Sequence, residues 1–471
     1  MKKVRLGSLV DIQIGKTPSR NNPEYWGEGV SWLSIADLGN LNEGKYITKS
    51  KEQITDKALK KSGFNLIPEN TILFSFKLSI GKVAITKKSF YTNEAIAAFI
   101  LKPDCNMSVE YLFYALKNLK TNYKIDQGAK GGTLNKKSLA NLMIHLPDRQ
   151  TQNKIVAVLD RIYFLIVQRE KSVELFNILI KSTFLEYFGS KKKNAENWKT
   201  VTFKDIIKST QYGTASQLRK EPTGTAVLRM NNISYNGDID LSDLKWVKLS
   251  ESKINSLMLN ERDLLFNRTN SRELVGKTAV WDKEGSYIFA GYLIRITFKE
   301  DIANPYFVSG YLNSEFGKKI LYNYAKSSGN MTNFSPPLLE KQKIFLPNPD
   351  TQKAYEDAIK KIKYKKEKIE SSLKQLASLL QSVMQNIFSN EDLISEEIIF
   401  EDLLKNLEIG DFLLRKERVK YLANLINRHT IKNDSNYQKA KEFVFQLLEI
   451  TESGLKQYYN PRKKKNELIN C

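Results

Sequence analysis

The sequence is poor in the residues on which most catalysis and metal chemistry depend. It has two cysteines, Cys105 and Cys471, and two histidines, His145 and His429, in 471 residues. Two distant thiols exclude a disulfide framework and fit a reducing compartment. Two His and two Cys so scattered make no zinc-ligand spacing, so no metal is expected. His145 precedes Leu-Pro at the end of an expected strand, where packing explains it better than catalysis. No apolar run approaches the ~18 residues of a membrane span. Asp11 interrupts any signal-like apolar core near the N-terminus. The expectation is a cytoplasmic protein without a membrane partner. No glycine-rich cofactor loop follows a strand.

What is present in excess is positive charge. Lys and Arg number 74 against 52 Asp and Glu, a net charge of +22 with a pI near 9.5. A chain this basic is suited to a polyanion, and nucleic acid is the commonest one. The excess is uneven. Residues 391–471 carry 14 basic and 14 acidic side chains, so the surplus lies entirely in residues 1–390. Hydrophobic residues make up 41%, enough for two or three cored domains.

The chain also repeats itself. "HLPDRQTQNKIVAVLDRI" (His145–Ile162) returns as "FLPNPDTQKAYEDAIKKI" (Phe345–Ile362), 200 residues later. "TILFSFKLSIGKVAI" (Thr71–Ile85) is echoed by "DLLFNRTNSRELVGKTAV" (Asp263–Val280), "WLSIADL" (Trp32–Leu38) by "VLRMNNI" (Val227–Ile233), and "GGTLN" (Gly131–Asn135) by "NMTNF" (Asn330–Phe334). A period this long is no solenoid. It marks two copies of a module, each a globular part followed by a helix.

Short β-branched and aromatic runs between Gly/Asn/Asp turns make the globular parts mixed α/β. The helices carry narrow seams at steps of three and four. One seam runs Ile155, Leu159, Ile162, Ile166, Arg169, Val173, Phe176, Ile180, Thr183, Tyr187. The other runs Tyr355, Ile359, Ile362, Lys366, Ile369, Leu373, Leu376, Leu380, Val383, Ile387. Each helix has two packings open to it, against its own globular part or against its counterpart. Matched seams favour the second, as an antiparallel coiled coil. The division expected is a globular domain over 1–147, a helix over 148–190, a second domain over 191–347, a second helix over 348–390, and a helical accessory segment over 391–471.

These motifs, in this order, resemble the specificity subunits of type I restriction–modification systems. "IGKTPSRNNPEYW", "WLSIADL", "ILFS…SIGKVAI", "GAKGGTLNKKSL" and then "LPDRQTQNKI" opening a helix form that family's half-repeat. The second half matches more loosely, and residues 391–471 lie outside the resemblance. The family implies two target recognition domains, each reading half of a split double-stranded DNA sequence, spaced by an antiparallel coil. It implies two modification subunits, which methylate adenine with S-adenosylmethionine, and restriction subunits as partners. This chain is then a non-catalytic subunit, binding no cofactor itself, in a phage-defence system. A methyltransferase-only or type II-like relative, a self-sufficient DNA methyltransferase or nuclease, and an RNA-binding scaffold are the competing readings.

Base edges are read by paired donors and acceptors, whereas Lys and Arg on phosphate set register and affinity. In the first module the candidates are Lys16, Thr17, Ser19, Arg20, Ser34, Asp37, Lys77, Ser79, Lys130, Asn135 and Lys136. In the second they are Arg229, Asn231, Asn232, Arg268, Asn270, Arg272, Asn330 and Asn333. "FNRTNSR" (Phe266–Arg272) is the most persuasive loop, because Arg forks onto guanine and Asn bridges adenine. In the first module Pro23, Tyr25, Trp26 and Gly27 are expected to form a rigid turn, with Trp26 and Trp32 as core anchors. Gly131-Gly132 offers weak phosphate contacts. "NPYF" (Asn304–Phe307) resembles the amino-methyltransferase tetrapeptide without its second proline. An N-cap at Asn304 followed by a first-turn proline accounts for it. "RKKK" (Arg462–Lys465) reads as a solvated run near the C-terminus.

Overall fold

The computed structural model describes residues 2–39, 44–77, 79–122, 134–189, 198–328, 331–389, 455–460 and 465–470. Packing divides the chain into two units, residues 1–171 with 370–471, and residues 172–369. The division cuts both long helices, Arg149–Phe188 and Pro349–Ser389. Each unit therefore holds the start of one long helix and the end of the other.

The first unit is built on a five-stranded sheet in the order Val10–Ile14, Ile96–Leu101, Ile72–Ser75, Val83–Thr86, Tyr46–Ile47. Its neighbours are antiparallel except the last pair. The central strands are buried on both faces, and alternation sorts them into two cores. Ile72, Phe74, Val83, Ile85, Ala97 and Phe99 face the helix Val109–Asn122. Leu73, Ala84, Ile96 and Ala98 pack instead with Leu33, Leu38 and Ile47. Burial on both faces explains why these strands read as continuous apolar runs. Truncating Phe99, which has no exposed surface, would cost about 3–5 kcal/mol. A smaller sheet, Glu52–Ile54, Trp26–Leu33, Tyr91–Thr92, lies beside it.

The second unit repeats this plan. Its main sheet runs Ile207–Tyr212, Leu293–Phe298, Leu264–Asn267, Thr278–Val280. Leu264, Phe266, Val280, Ile294 and Ile296 enter one core, and Leu265, Ala279 and Leu293 the other. In both units the first strand returns to pair with the one before the long helix. Lys2–Arg5 lies antiparallel to Met143–Leu146, and Lys199–Thr202 to Lys343–Leu346.

The repeated Thr-Gln pair now has a physical role. Thr151 N–H is capped by Asp148 Oδ1 at 2.9 Å, and Thr351 N–H by Asn348 Oδ1 at 2.8 Å, which starts each long helix. The following glutamines are sealed from solvent and clamp the preceding segment. Gln152 Oε1 accepts from Ser108 N–H (2.8 Å), and its Nε2 donates to the carbonyls of Asn106 and Pro147. Gln352 Oε1 accepts from Asn304 N–H (2.8 Å), and its Nε2 donates to the carbonyls of Ile302 and Pro347.

All ten seam positions of each long helix are buried or half-buried. The polar breaks in the seams have partners. Arg169 Nε donates to Ser372 Oγ (3.3 Å), Thr183 Oγ1 to the Leu179 carbonyl (2.8 Å), and Lys366 Nζ to Asp238 (2.5 Å). In the first unit Phe388 meets Tyr111 beside the start of the first long helix, while Ser372, earlier in the second long helix than Phe388, meets Arg169, farther along the first, so within this unit the two segments run in opposite directions. In the second unit Tyr355, near the start of its helix, packs on Phe184, Tyr187 and Phe188 at the end of the other.

The C-terminal segment departs from the helical expectation. Leu455–Asn460 and Lys465–Asn470 form an antiparallel pair of strands. Helical spacing is expected across this segment, but Tyr458-Tyr459 favour a strand, and Asn460-Pro461 is a turn signal at its end. The helices expected over 391–454 lie outside the described residues.

Candidate nucleic-acid interface

In each unit a strand of a smaller sheet, Trp26–Leu33 in the first and Thr225–Leu228 in the second, runs into a turn that carries candidate residues, and the turn is held from two sides. In the first unit Asp37 is 5% exposed. Its carboxylate accepts from Ser34 N–H (2.8 Å), Ser34 Oγ (2.7 Å) and Lys51 N–H (3.1 Å). In the second unit Asn232 is 2% exposed. It accepts from Arg229 N–H (2.8 Å) and donates to the carbonyls of Asp240 (2.8 Å) and Asp243 (3.0 Å). Asp37 and Asn232 are therefore withdrawn from the surface. Their polar atoms hold the turn, which corrects the expectation that they face a ligand.

The second hold comes from the repeated Gly-Lys. Lys82 Nζ donates to the Ile35 carbonyl at 3.1 Å. Lys277 Nζ donates to the carbonyls of Met230 (2.9 Å) and Ile233 (2.6 Å). Burial pushes the Lys277 ammonium below the usual lysine value. The glycines before them, Gly81 and Gly276, have φ of +87° and +77°, a backbone region costly for any residue with a Cβ. The motif read in the sequence as a repeat is thus a device that positions the turn.

Around these turns the first unit exposes Lys16, Thr17, Ser19 and Arg20. The stretch is braced by its own contacts. Asn22 caps the short Pro23–Tyr25 helical turn, and Gly27 takes φ +142°. Trp26 and Trp32 pack edge to face at 5.0 Å, and their indole N–H groups donate to the carbonyls of Ser19 (3.2 Å) and Lys16 (3.0 Å). Trp32 is buried; Trp26 is half-buried beneath Arg20, whose guanidinium lies 3.7 Å from its ring. Arg20 also makes a bidentate pair with Glu52, whose hydrogen bonds raise the guanidinium and draw the carboxyl down. Thr17 donates to Glu94. Lys77 and Ser79 are exposed on the loop after Ile72–Ser75, and Ser75 Oγ braces that loop by donating to the Ser79 carbonyl (2.6 Å). Asn135 caps the turn Lys136–Ala140 through Ser138 N–H (2.9 Å), and Lys136 is exposed.

In the second unit Arg268 is anchored at its neck. Its Nε donates to the Gly291 carbonyl (3.0 Å), and its guanidinium lies 5.1 Å from the exposed Tyr212 ring. The two terminal amino groups of Arg268 have no partner among the described residues. Asn270 Oδ1 accepts from Ser271 N–H (2.9 Å), and Asn333 Oδ1 accepts from Thr269 Oγ1 (2.6 Å). Arg272 lies over Tyr322 at 4.3 Å, and Asn231 is exposed. Arg229 pairs with Asp243 at 2.6 Å. Lys130, Gly131-Gly132 and Asn330 lie outside the described residues, as do Arg462, Lys463 and Lys464 of the basic run.

Three exposed aromatics, Tyr212, Tyr292 and Tyr322, surround this loop and were not singled out from the sequence. The signal was present as tyrosines beside basic loops, but the three are far apart in sequence. Asn304 is confirmed as a cap, accepting from Tyr306 N–H (2.9 Å), with Pro305 at the first helical position. Among the described residues no group of three or more His, Cys, Asp or Glu is arranged to hold a metal. Among them, too, no helix is long and apolar enough to cross a membrane.

The arrangement offers cations and amide groups on pinned loops, twice over. The model of the type I restriction modification DNA specificity domain matches residues 1–175 and again 195–377. The type I restriction enzyme MjaIX specificity subunit of Methanocaldococcus jannaschii is 27% identical over 291 residues, 57% of this chain and 66% of that one, just under two thirds of its length. The EcoKI specificity subunit of Escherichia coli is 22% identical over 418 residues, 80% of this chain and 88% of that one. A solved S subunit from M. genitalium superposes with a TM-score of 0.50 over 83% of this chain and 96% of that one, at 16% identity, a likeness of fold.

Proposed function

This chain belongs to the type I restriction–modification DNA specificity family, and from that premise we propose that it selects the DNA site for a type I restriction–modification complex. Each unit reads one half of a split double-stranded target. The observation that carries this reading is the same pinned turn and adjoining basic loop in both units, held by Asp37 and Lys82 in one and by Asn232 and Lys277 in the other. The surplus positive charge lies in the part of the chain that contains both. The first unit contacts DNA through Lys16, Thr17, Ser19, Lys77, Ser79 and Lys136. The second uses Asn231, Arg268, Asn270, Arg272 and Asn333, with Tyr212 and Tyr292 lining the approach.

The two long helices form the antiparallel coil that sets the separation of the half-sites and docks two adenine-methylating modification subunits. S-adenosylmethionine binds in those partners, restriction subunits complete the complex, and the complex works in the cytoplasm. Mapping methylated adenines in the host genome, with and without this gene, tests the reading. A split motif that vanishes with the gene is the expected result. Methyl transfer by the purified chain alone, or a preference for RNA in competition, would refute it. Inserting one heptad into both long helices should lengthen the spacer by roughly 10 Å, about three base pairs, with the half-sites unchanged.

A further inference from the structure

The second unit contains a cavity that DNA reading does not use. It measures about 250 Å³ and is walled by Phe184, Tyr306, Tyr355 and Ile359, with Lys318 and Tyr235 at one side. The Lys318 Nζ is sealed from solvent and has no hydrogen-bond partner among the described residues. It lies 4.9 Å from the Tyr235 ring, which Lys181 also approaches at 5.9 Å. The Tyr306 hydroxyl is likewise buried and unpartnered.

Among the described residues no carboxylate answers this charge. Glu315 borders the cavity but makes no ion pair among the described residues. Lys363, also on the wall, donates to the Gly237 carbonyl (2.9 Å). Burial, then the charges of Lys277 and Lys181, push the Lys318 ammonium down to about 8, so it remains cationic at neutral pH. A buried cation without a hydrogen-bond acceptor is costly, and a group that supplies the missing acceptor recovers that cost. The aromatic wall suits a flat apolar body. The volume is a little below the ~300–1,000 Å³ of drug-sized ligand sites, which limits the ligand to a small one.

We propose that this cavity is a binding site for a small aromatic carboxylate, whose carboxylate pairs with Lys318 and whose ring packs on Phe184, Tyr306 and Tyr355. None of the residues proposed to contact DNA lines the cavity, and the proposal does not depend on the function proposed above. The probe is 2-naphthoate, titrated calorimetrically into the full chain, with neutral 2-naphthamide as control. The naphthoate should bind in the micromolar to low-millimolar range, and the amide at least tenfold more weakly. Lys318→Met should weaken naphthoate binding at least tenfold while leaving DNA affinity unchanged. Because a cavity variant can misfold, Tyr235→Ala serves as a second variant at an exposed ring, and it too should weaken binding severalfold. Absence of binding at millimolar naphthoate, equal binding of the amide, or full binding by folded Lys318→Met would overturn the proposal.

Discussion

Lys45 in the first unit and Lys318 in the second both withdraw their ammonium groups from solvent, and the two are treated differently. In the first unit Lys45 is 8% exposed, and its Nζ donates to both oxygens of Asp160 at 2.6 and 2.8 Å, with the Tyr114 hydroxyl donating to the same carboxylate at 2.6 Å. In the second unit Lys318 has a cavity where Lys45 has a carboxylate. The surface arginines follow the same division. Arg20 is closed onto Glu52, whereas Arg268 is held by a carbonyl and keeps two amino groups open. A cation answered by its own unit serves the fold, while one left unanswered is available to a ligand. The shared plan of the two units makes this difference a property of particular side chains rather than of architecture.

The largest effect should come from opening the closed pair. Asp160→Ala leaves the Lys45 ammonium buried and removes the Tyr114 acceptor. Stranding a buried partner typically costs about 3–5 kcal/mol. The Asp160 side chain is 40% exposed, so the low end, about 3 kcal/mol, is expected in denaturant unfolding. A loss below about 1 kcal/mol would mean that water answers Lys45 as well as Asp160 does.

Lys318 should show the opposite sign. The unfolded chain keeps this proton to about pH 10.5, the folded chain only to about 8. Between those values the unfolded state binds more protons, so stability rises with pH across that window. Below pH 8 the full penalty applies, at most about 3 kcal/mol from that shift. Lys318→Met should remove it. The variant should therefore be more stable than the parent at pH 7, and the gap should close towards pH 10.5. Unfolding of both proteins at three pH values measures this, and a gap that does not vary with pH would show that Lys318 is already paired.

Third is Arg268. If its open fork reads a guanine, Arg268→Ala should cost about 1–3 kcal/mol on the cognate site and relax one position of one half-site. If it meets phosphate, affinity should fall alike on cognate and scrambled DNA, with a salt slope smaller by about one unit. Binding to single-base variants at two salt concentrations decides between the two.

Much of this was legible in the sequence because it is local or periodic. The 200-residue repeat returned as matched strands, the Thr-Gln pair as a cap and clamp, and the seam residues as buried stripes. The Asn304 cap was legible for the same reason. Partnership across the chain was not. Residue type places Asp37 and Arg20 equally among ligand-facing candidates, but one is turned inward onto Ser34 and the other meets Glu52, 32 residues away. Tyr212 joins Arg268 only because strands Ile207–Tyr212 and Leu264–Asn267 flank the same central strand. Lys318 looked like any other lysine on a helix, since burial without a partner leaves no mark in the pattern. In the C-terminal segment two tyrosines and an Asn-Pro outweighed helical spacing.

The smallest effect is expected at Arg20, where the comparison between units is most easily broken. Its side chain is 52% exposed and that of Glu52 39%, so the pair is a surface one, worth about 0.2–1 kcal/mol to stability. Closed onto Glu52 and stacked on Trp26, Arg20 has its fork occupied. Arg20→Ala should therefore change DNA affinity far less than Arg268→Ala, and should leave base preference intact. Glu52→Gln should do the reverse of a loss. It removes the competing carboxylate, leaves Trp26 to hold the guanidinium in place, and frees the fork for a phosphate. Affinity should then rise severalfold on cognate and scrambled DNA alike, and the salt slope should steepen by about one unit. If Arg20→Ala instead abolishes preference at one position of the first unit's half-site, the Glu52 pair opens on binding, and Arg20 is a base reader equal to Arg268.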